Sequence, residues 1–516
     1  MFVLFSLLPP GVSFTAAPHP DELSTWLTAL PAEPEQAARL LKKQLYRIRG
    51  VVNTHARLKM LDRLLDASHN VVSAFEANLI RARYPLSADL QRGIVLGNDL
   101  LKRHARAYIQ TVARLSGKWL GFGLSPILRP ALVQAMELEK RRLLLAFRAY
   151  TPGSRSAWKN LHQLYQIARK SGYAKTVPVG VSDSPEQLYI KALLMTFAEP
   201  ARLTQQELER VSFYIERHAK HAKLVDGPGS TGRHDIPAGC FLVRQQDDDE
   251  HATLRKWGSS NPASGDLLLD CTLLISKLRE QIEGLEHGIP PSKLDLPSVA
   301  RRPQYLAMLR SLQKLWSVPP QRRFSRQHFR PRIDLVAGFD DIWSFMTGRY
   351  FNRRQTDNVM VAAEVSPEIS EWSIANESPT GFALQYVSGD AGDIAAGALI
   401  GLSPPTRGTV YICMVRRLVS REHNRVDLGL QKYAAAAIAT RFTLQGNAAG
   451  DAEQAKAIVL PHVPSLDGKA AVLARTGTLW PGKRLPFQLG EEHLIYVTGA
   501  ALEQYPDYEI FSLSPA

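Results

Sequence analysis

Three cysteines in 516 residues, at positions 240, 271 and 413, are too few and too scattered for a disulfide frame. Each lies in or beside an apolar run, which predicts buried, reduced thiols and a cytoplasmic setting. No uninterrupted apolar stretch approaches the 18 or so residues of a membrane span, so no transmembrane segment is expected. The opening Met1–Leu8 is apolar, but it lacks a basic region in front and Pro9-Pro10-Gly11 ends it. It reads as a core-docked or edge strand, or as residues ahead of a mis-set start. There is no zinc-ligand spacing. His218, His221 and His234 have Lys220 and Lys223 as neighbours and no thiolate or carboxylate cluster, so no metal is expected. A phosphate-binding Walker loop, a nucleophile elbow and a recognisable catalytic carboxylate pair are all missing. Gly227-Pro228-Gly229-Ser230-Thr231-Gly232 spells the dinucleotide fingerprint, but no strand feeds it, and it reads as a linker. These absences point to a non-enzymatic binding protein that needs no cofactor.

What the chain has in excess is positive charge: 63 Lys and Arg against 49 Asp and Glu, a net of +14. Such a balance invites nucleic acid or an acidic surface as partner. The basic residues are nevertheless interleaved with acidic ones, as in Glu137-Leu138-Glu139-Lys140-Arg141-Arg142. No helix-turn-helix or RNP-type strand accompanies them, so the charge reads as a solvated surface and nucleic acid is not expected.

The organisation predicted is multidomain α+β. Residues 1–225 read as a helical bundle or helical scaffold. Leu61, Leu64, Leu65, Val71, Val72 and Phe75 fall on one face at helical spacing, and Ala131–Tyr150, Gln187–Ala198 and Gln205–Lys223 repeat the amphipathic pattern. No tetratricopeptide-type period is convincing. Trp158, His162 and Tyr165 share a helical face that reads as packed core. Residues 226–317 form a mixed α/β connecting region, with a strand at Asp235–Arg244, an amphipathic segment at Leu267–Glu283 and a helix at Tyr305–Trp316. Residues 318–435 read as a small β-barrel with a helix inserted near 340–347. Its strands are Gly381–Val387, Gly397–Leu402, Thr409–Val419 and Val426–Gln431. Residues 436–516 form a C-terminal β module, either a second barrel or an extension of the first. Its strands are Ala457–Leu460, Ala470–Ala474 and Ile495–Thr498, with turns at Asp467-Gly468 and Pro481-Gly482.

Two short strings carry the functional reading. Pro319-Pro320-Gln321-Arg322-Arg323-Phe324-Ser325-Arg326 gives an RxxxR spacing after a Pro-Pro break; Arg326 and Arg330 repeat it. Trp372-Ser373-Ile374-Ala375-Asn376-Glu377-Ser378-Pro379-Thr380-Gly381 gives NxSxxG at the end of a strand-like run. In this order, ahead of a β-rich segment, they resemble the signature of PilZ domains. The resemblance covers about residues 318–435, and the rest of the chain resembles no family that its residues name. It implies a small barrel that binds the bacterial messenger cyclic di-GMP.

The chemistry is suitable. Arginine meets phosphate oxygens, or the O6/N7 edge of guanine, with two parallel bonds. The Asn376 carbonyl accepts from guanine N–H groups, the Ser378 hydroxyl donates to phosphate, and Gly381 admits a tight turn and close backbone approach. The ligand-binding set implied is Arg322, Arg323, Arg326, Asn376, Ser378 and Gly381. The segment Ile333–Glu371 is longer than the family usually has between the two strings. Its inserted helix, at Asp340–Met346, and basic loop, Arg349–Arg354, either cover the site or add to it. The function expected is a cytoplasmic cyclic di-GMP effector whose helical region passes the signal to an unidentified protein partner. The alternative is an interaction scaffold whose barrel no longer binds nucleotide.

Overall fold

The structure is a computed structural model. It describes residues 20–80, 82–116, 126–227, 238–244, 265–317, 331–347, 368–392, 394–403, 410–421, 425–435, 437–443, 454–461, 463, 468–489 and 492–516. The chain divides into two compact units, one drawn mainly from residues up to 320 and one mainly from 321 onward. Helices come first and barrels follow, as the multidomain α+β reading requires. No helix among the described residues is long and apolar enough to cross a membrane.

The first unit begins with α1 (Pro20–Thr28), α2 (Pro34–Ile48), α3 (Thr54–Ala77), α4 (Ala88–Ser116), α5 (Leu128–Arg148), α6 (Arg155–Lys170), α7 (Pro185–Phe197) and α8 (Gln205–His218). Their starts are written in the sequence. Glu33, Asn53 and Ser184 accept from backbone amides in the first turns of α2, α3 and α7, which satisfies donors that helix geometry leaves open. α2 and α3 pack on α4, α4 packs on α5, and α5 carries α6 and α7. Gly93 of α4 faces Phe75 of α3 so closely that a Cβ there would sit 2.9 Å from the ring. The core also holds charge. Arg142 donates to Glu139 at 2.5 Å with both side chains solvent-free, and Asn98, Ser154, Ser156 and Asn160 complete their bonds. Removing one member of such a pair leaves an uncompensated buried charge, typically at a cost of about 3–5 kcal/mol.

Two buried histidines are held neutral. His104 Nε2 donates to the Leu61 carbonyl at 3.1 Å, so its Nδ1 accepts from the Ser68 hydroxyl. Burial pushes its pKa down to about 3. His162, stacked on Trp158 and bonded to the Tyr189 hydroxyl, is pushed by burial down to about 4. Trp158, His162 and Tyr165 are all buried, as their common face predicts.

After α8 the unit adds a three-stranded antiparallel sheet, in the order β1 (Lys223–Asp226), β3 (Leu267–Asp270), β2 (Cys240–Val243). α9 (Thr272–Glu286) and α10 (Pro303–Ser317) follow. The segment from Leu267 to Glu283 is therefore a strand and then a helix. The break is Asp270, whose carboxylate accepts from the Thr272 amide and hydroxyl at 2.9 and 2.6 Å. Of the strand expected at Asp235–Arg244, Cys240–Val243 is paired and residues 235–237 lie outside the described set. So do Met1–Leu8 and most of the glycine-rich string at 227–232. All three cysteines are buried and unbridged.

The second unit contains a closed antiparallel barrel in the order β4 (Arg332–Ala337), β5 (Ile369–Ser378), β6 (Gly381–Gly389), β9 (Val426–Ala434), β8 (Tyr411–Ser420), β7 (Leu399–Ser403). Closure removes the exposed edges that an open sheet would present. Ile333, Leu335, Trp372, Ile374, Phe382, Leu384, Val415 and Leu428 alternate into its interior. Between β4 and β5 stands α11 (Phe339–Met346), the inserted helix. Its Ile342 and Trp343 pack with the outer barrel residues Val336, Leu399, Ile412 and Met414.

The C-terminal module is a six-stranded antiparallel sheet: β10 (Ile438–Thr443), β11 (Gln454–Leu460), β12 (Ala471–Arg475), β15 (Tyr508–Pro515), β14 (Glu492–Gln504), β13 (Arg484–Leu489). Its hydrogen-bonded order is open, but the end strands β10 and β13 lie side by side, so it curls like a barrel. Ile458, Leu460, Leu473 and Ile510 face the first barrel and α11. The alternate residues Val459, Val472, Ala474 and Phe511 fill the inside of the curl. The module is thus a second barrel-like body that shares one core with the first. Glu503 adds a polar junction, accepting from the hydroxyls of Tyr433 and Tyr505 and, at 3.5 Å, from Arg416.

Candidate functional site

The NxSxxG string forms the β5–β6 hairpin. Ser378 pairs with Gly381, so the turn is only Pro379-Thr380. Asn376 and Ser378 still belong to the strand, and Gly381 already starts the next one. This is narrower than the six-residue turn that Asn376–Gly381 suggests as sequence. The Ser378 hydroxyl donates to the Gly381 carbonyl at 3.2 Å, and the Lys432 amide donates to the Thr380 carbonyl at 2.9 Å. Asn376, Ser378 and Gly381 are half-buried; Pro379 and Thr380 are exposed.

A bulge decides which way these side chains point. Ser370, Trp372 and Ile374 are buried at alternate positions, and strict alternation would send Asn376 inward as well. The register slips between Ile374 and Asn376, with Ala375 as the extra residue. Asn376 then pairs with Ala383, which lies between the inward Phe382 and Leu384, and so faces out. Glu377 turns inward in its place. It accepts from Lys432 at 3.1 Å, and the same ammonium lies 4.3 Å from the Phe382 ring centre and 5.1 Å from that of Tyr411. These four residues plug the mouth of the barrel beneath the hairpin.

On the outer face, Asn376, Ala383, Gly429 and Arg417 stand opposite one another across β5, β6, β9 and β8. The two middle members are small, which leaves a shallow trough with an amide at one end and an exposed guanidinium at the other. Ser378, Gly381 and Gln431 form the next row. As sequence, Arg417 is only part of an apolar strand. Its place opposite Gly429 follows from a second bulge, between Val415 and Arg417.

Arg322, Arg323 and Arg326 lie outside the described residues, as does the basic loop Arg349–Arg354. Where the chain reaches the barrel is nonetheless clear. The Pro331 carbonyl accepts from the Ile374 amide at 3.0 Å, two residues before Asn376. The helix α11 leaves the far end of β4, through Gly338, whose amide bonds to Leu399. It packs against the C-terminal module and does not cover the hairpin. Its Asp340, hydrogen-bonded by Arg475 and Lys456, is committed there; burial opposes its charge, but the two cations outweigh it and hold the carboxyl below its usual range.

Among the described residues no group of three or more His, Cys, Asp or Glu side chains is placed to hold a metal ion. The first unit has a polar cleft between α6 and β1, but its members are already engaged. Arg169 bonds Asp226 at 2.6 Å, and the Tyr165 hydroxyl donates to Glu186 at 3.2 Å.

Comparison with known proteins adds a likeness over the region that its residues alone did not name. Residues 21–229 match the family described as the N-terminal domain of the cyclic-di-GMP receptor FimW. The cyclic-di-GMP receptor FimW of Pseudomonas aeruginosa is 21% identical to this chain, over 93% of the chain and 86% of the relative. No solved structure matches it.

Proposed function

We propose that this chain is a cytoplasmic cyclic di-GMP effector with a PilZ-like barrel, and that it binds and does not catalyse. The observation that carries the reading is the position of Asn376 and Ser378 beside the point where the arginine string joins the barrel. Arg326 precedes Pro331 by five residues and Arg322 by nine. At roughly 3.5 Å per residue, five to nine residues are long enough to span the outer trough from Pro331. A dinucleotide seated between Arg322/Arg326 and Asn376/Ser378 would have guanidinium forks for its phosphates or guanine O6/N7 edges, and an amide and a hydroxyl for the remaining polar atoms. Arg323 and the Gly381 backbone complete the set, and Arg417 closes the far end of the trough.

The name of the FimW relative supports the same ligand, and its alignment runs through both the helical region and the barrels. The helical unit, which matches the FimW N-terminal family, is then the part that carries the message to a protein partner. The double variant Asn376→Ala/Ser378→Ala tests the site. It should fold with its far-ultraviolet spectrum intact and bind cyclic di-GMP at least about tenfold more weakly than the parent. Unchanged affinity would remove the hairpin from the site.

A further inference from the structure

The bulge between Val415 and Arg417 sends two consecutive side chains, Arg416 and Arg417, to the outer face of the barrel. Arg417 ends the trough, and Arg416 turns toward the C-terminal module. The Arg416 Nε donates to Gln431 Oε1 at 2.6 Å, and its Nη2 reaches Glu503 Oε1 at 3.5 Å. Glu503 belongs to β14 of that module and is itself held. Its Oε2 accepts from the hydroxyls of Tyr433 and, at 2.9 Å, Tyr505. Tyr433 follows Gln431 by two residues on β9, so both side chains face outward.

Arginine has no acceptor, so the Gln431 atom that meets it is the carbonyl oxygen. The NH2 group is therefore turned away from Arg416, and it has no partner among the described residues. Gln431 stands in the row Ser378, Gly381, Gln431, beside the row of Asn376 and Arg417. Gly381, between the other two, has no side chain to shield the amide from the Ser378 hydroxyl. A pair of unengaged N–H donors is thus presented at the trough, on a side chain already fixed at its oxygen. Fixing it in advance lowers the ordering cost of binding a ligand there.

We propose, building on the barrel site above, that Gln431 is a further dinucleotide-binding residue, and that Arg416 and Glu503 are positioning residues through which the C-terminal module holds its amide. The NH2 group donates to an acceptor of the ligand, a phosphate oxygen or guanine O6. The second barrel-like body then acts in recognition, as the buttress of one wall of the site.

The test titrates cyclic di-GMP and cyclic di-AMP into the full chain and into Gln431→Ala, Gln431→Glu, Arg416→Ala and the double variant Gln431→Ala/Arg416→Ala, with melting followed in each. Gln431→Ala should weaken cyclic di-GMP binding about three- to tenfold. Gln431→Glu keeps an oxygen for Arg416 but has no donor, so it should melt no lower than the parent and bind about tenfold or more weakly. Arg416→Ala should weaken binding about threefold or more in the parent and cause no further loss once Gln431 is alanine, because its effect passes through that amide. A merely structural arginine would cost the same in both backgrounds. If Arg416→Ala fails to fold, Arg416→Lys reads the same step, since an ammonium lacks the fork that meets Gln431 and Glu503 together. A Gln431→Ala protein whose preference for guanine narrows assigns the contact to O6, and one that loses affinity equally for both dinucleotides assigns it to phosphate. A parent that binds while both Gln431 variants bind equally well would overturn this inference and leave the barrel reading standing. So would additive losses from Gln431 and Arg416 overturn the positioning role. A parent that does not bind cyclic di-GMP would overturn the barrel reading and the role of Gln431 with it.

Discussion

A Cβ added to Gly381 would lie 2.1 Å from the carbonyl oxygen of Leu430. The two strands are in register there, Gly381 opposite Gln431 and Phe382 opposite Leu430, and the backbone of β9 leaves no room for a side chain. The glycine of NxSxxG is therefore required by close approach of a neighbouring strand as much as by any turn.

Gly381→Ala should force the hairpin away from β9. The expected cost is about 1–3 kcal/mol of stability, the usual range for overpacking against an element that cannot yield. Melting temperature and cyclic di-GMP affinity should fall together. Ser378→Ala makes the contrast. It loses one hydrogen bond at a half-exposed turn, so its melting temperature should drop only slightly, by about 0.5–1 kcal/mol in stability, while ligand affinity falls more. A Gly381→Ala protein that melted like the parent would contradict the close approach.

Arg322→Ala and Arg326→Ala should each weaken cyclic di-GMP binding about tenfold or more, since each removes charge-assisted bonds of roughly 1.5–3 kcal/mol. Arg330→Ala should matter less, because it adjoins Pro331, where the chain already runs along β5. If Arg330→Ala were the damaging change and the other two harmless, the register of the arginine string would be Arg326/Arg330.

Acid should loosen the helical unit first. His104 and His162 hold folded pKa values of about 3 and 4 against an ordinary 6.5, both through burial. The unfolded chain takes up protons that the folded one refuses, so their stabilisation is complete above about pH 6.5. It is lost as the pH falls below that value, at up to about 1.4 kcal/mol per pH unit for each histidine. Melting temperature measured from pH 7.5 to 5 should decline, and His162→Phe should make the decline shallower. A flat profile in the parent would mean that the histidines are not buried neutral.

Much of this architecture is legible in the residues, and the failures have identifiable physics. β6, β8 and β9 are visible because alternation and β-branched residues coincide in Gly381–Val387, Thr409–Val419 and Val426–Gln431. The helix at 339–346 is visible because Phe339, Ile342, Trp343 and Phe345 keep helical spacing between two glycine-bounded segments. β10 is hidden behind Ala434-Ala435-Ala436-Ala437, which favours helix over strand on propensity. β13 is hidden by Pro486, which is tolerated because β13 ends the hydrogen-bonded order of its sheet. The run Leu267-Leu268-Leu269 shows no period by which to separate strand from helix. At the site, the residue types are legible but their direction is not. Only the bulge at Ala375 turns Asn376 outward, and bulges leave no reliable mark in a single sequence. The trough between Asn376 and Arg417 needs the register of four strands, which no local spacing encodes.

Ligand should also change hydrogen exchange. With saturating cyclic di-GMP, protection should rise across residues 318–330 and at the β5–β6 hairpin, with a smaller rise in α10. Protection unchanged throughout residues 303–330 while ligand binds would leave a passive site with no route to the helical unit.

The most direct measurement is a calorimetric titration of the full chain with cyclic di-GMP and, in parallel, with cyclic di-AMP. Adenine places an N6 donor where guanine has the O6 acceptor, so an arginine fork that reads guanine would meet a donor instead. The account predicts saturable binding of cyclic di-GMP, preferred over cyclic di-AMP by about tenfold or more. No binding of cyclic di-GMP, or equal affinity for the two dinucleotides, would contradict it.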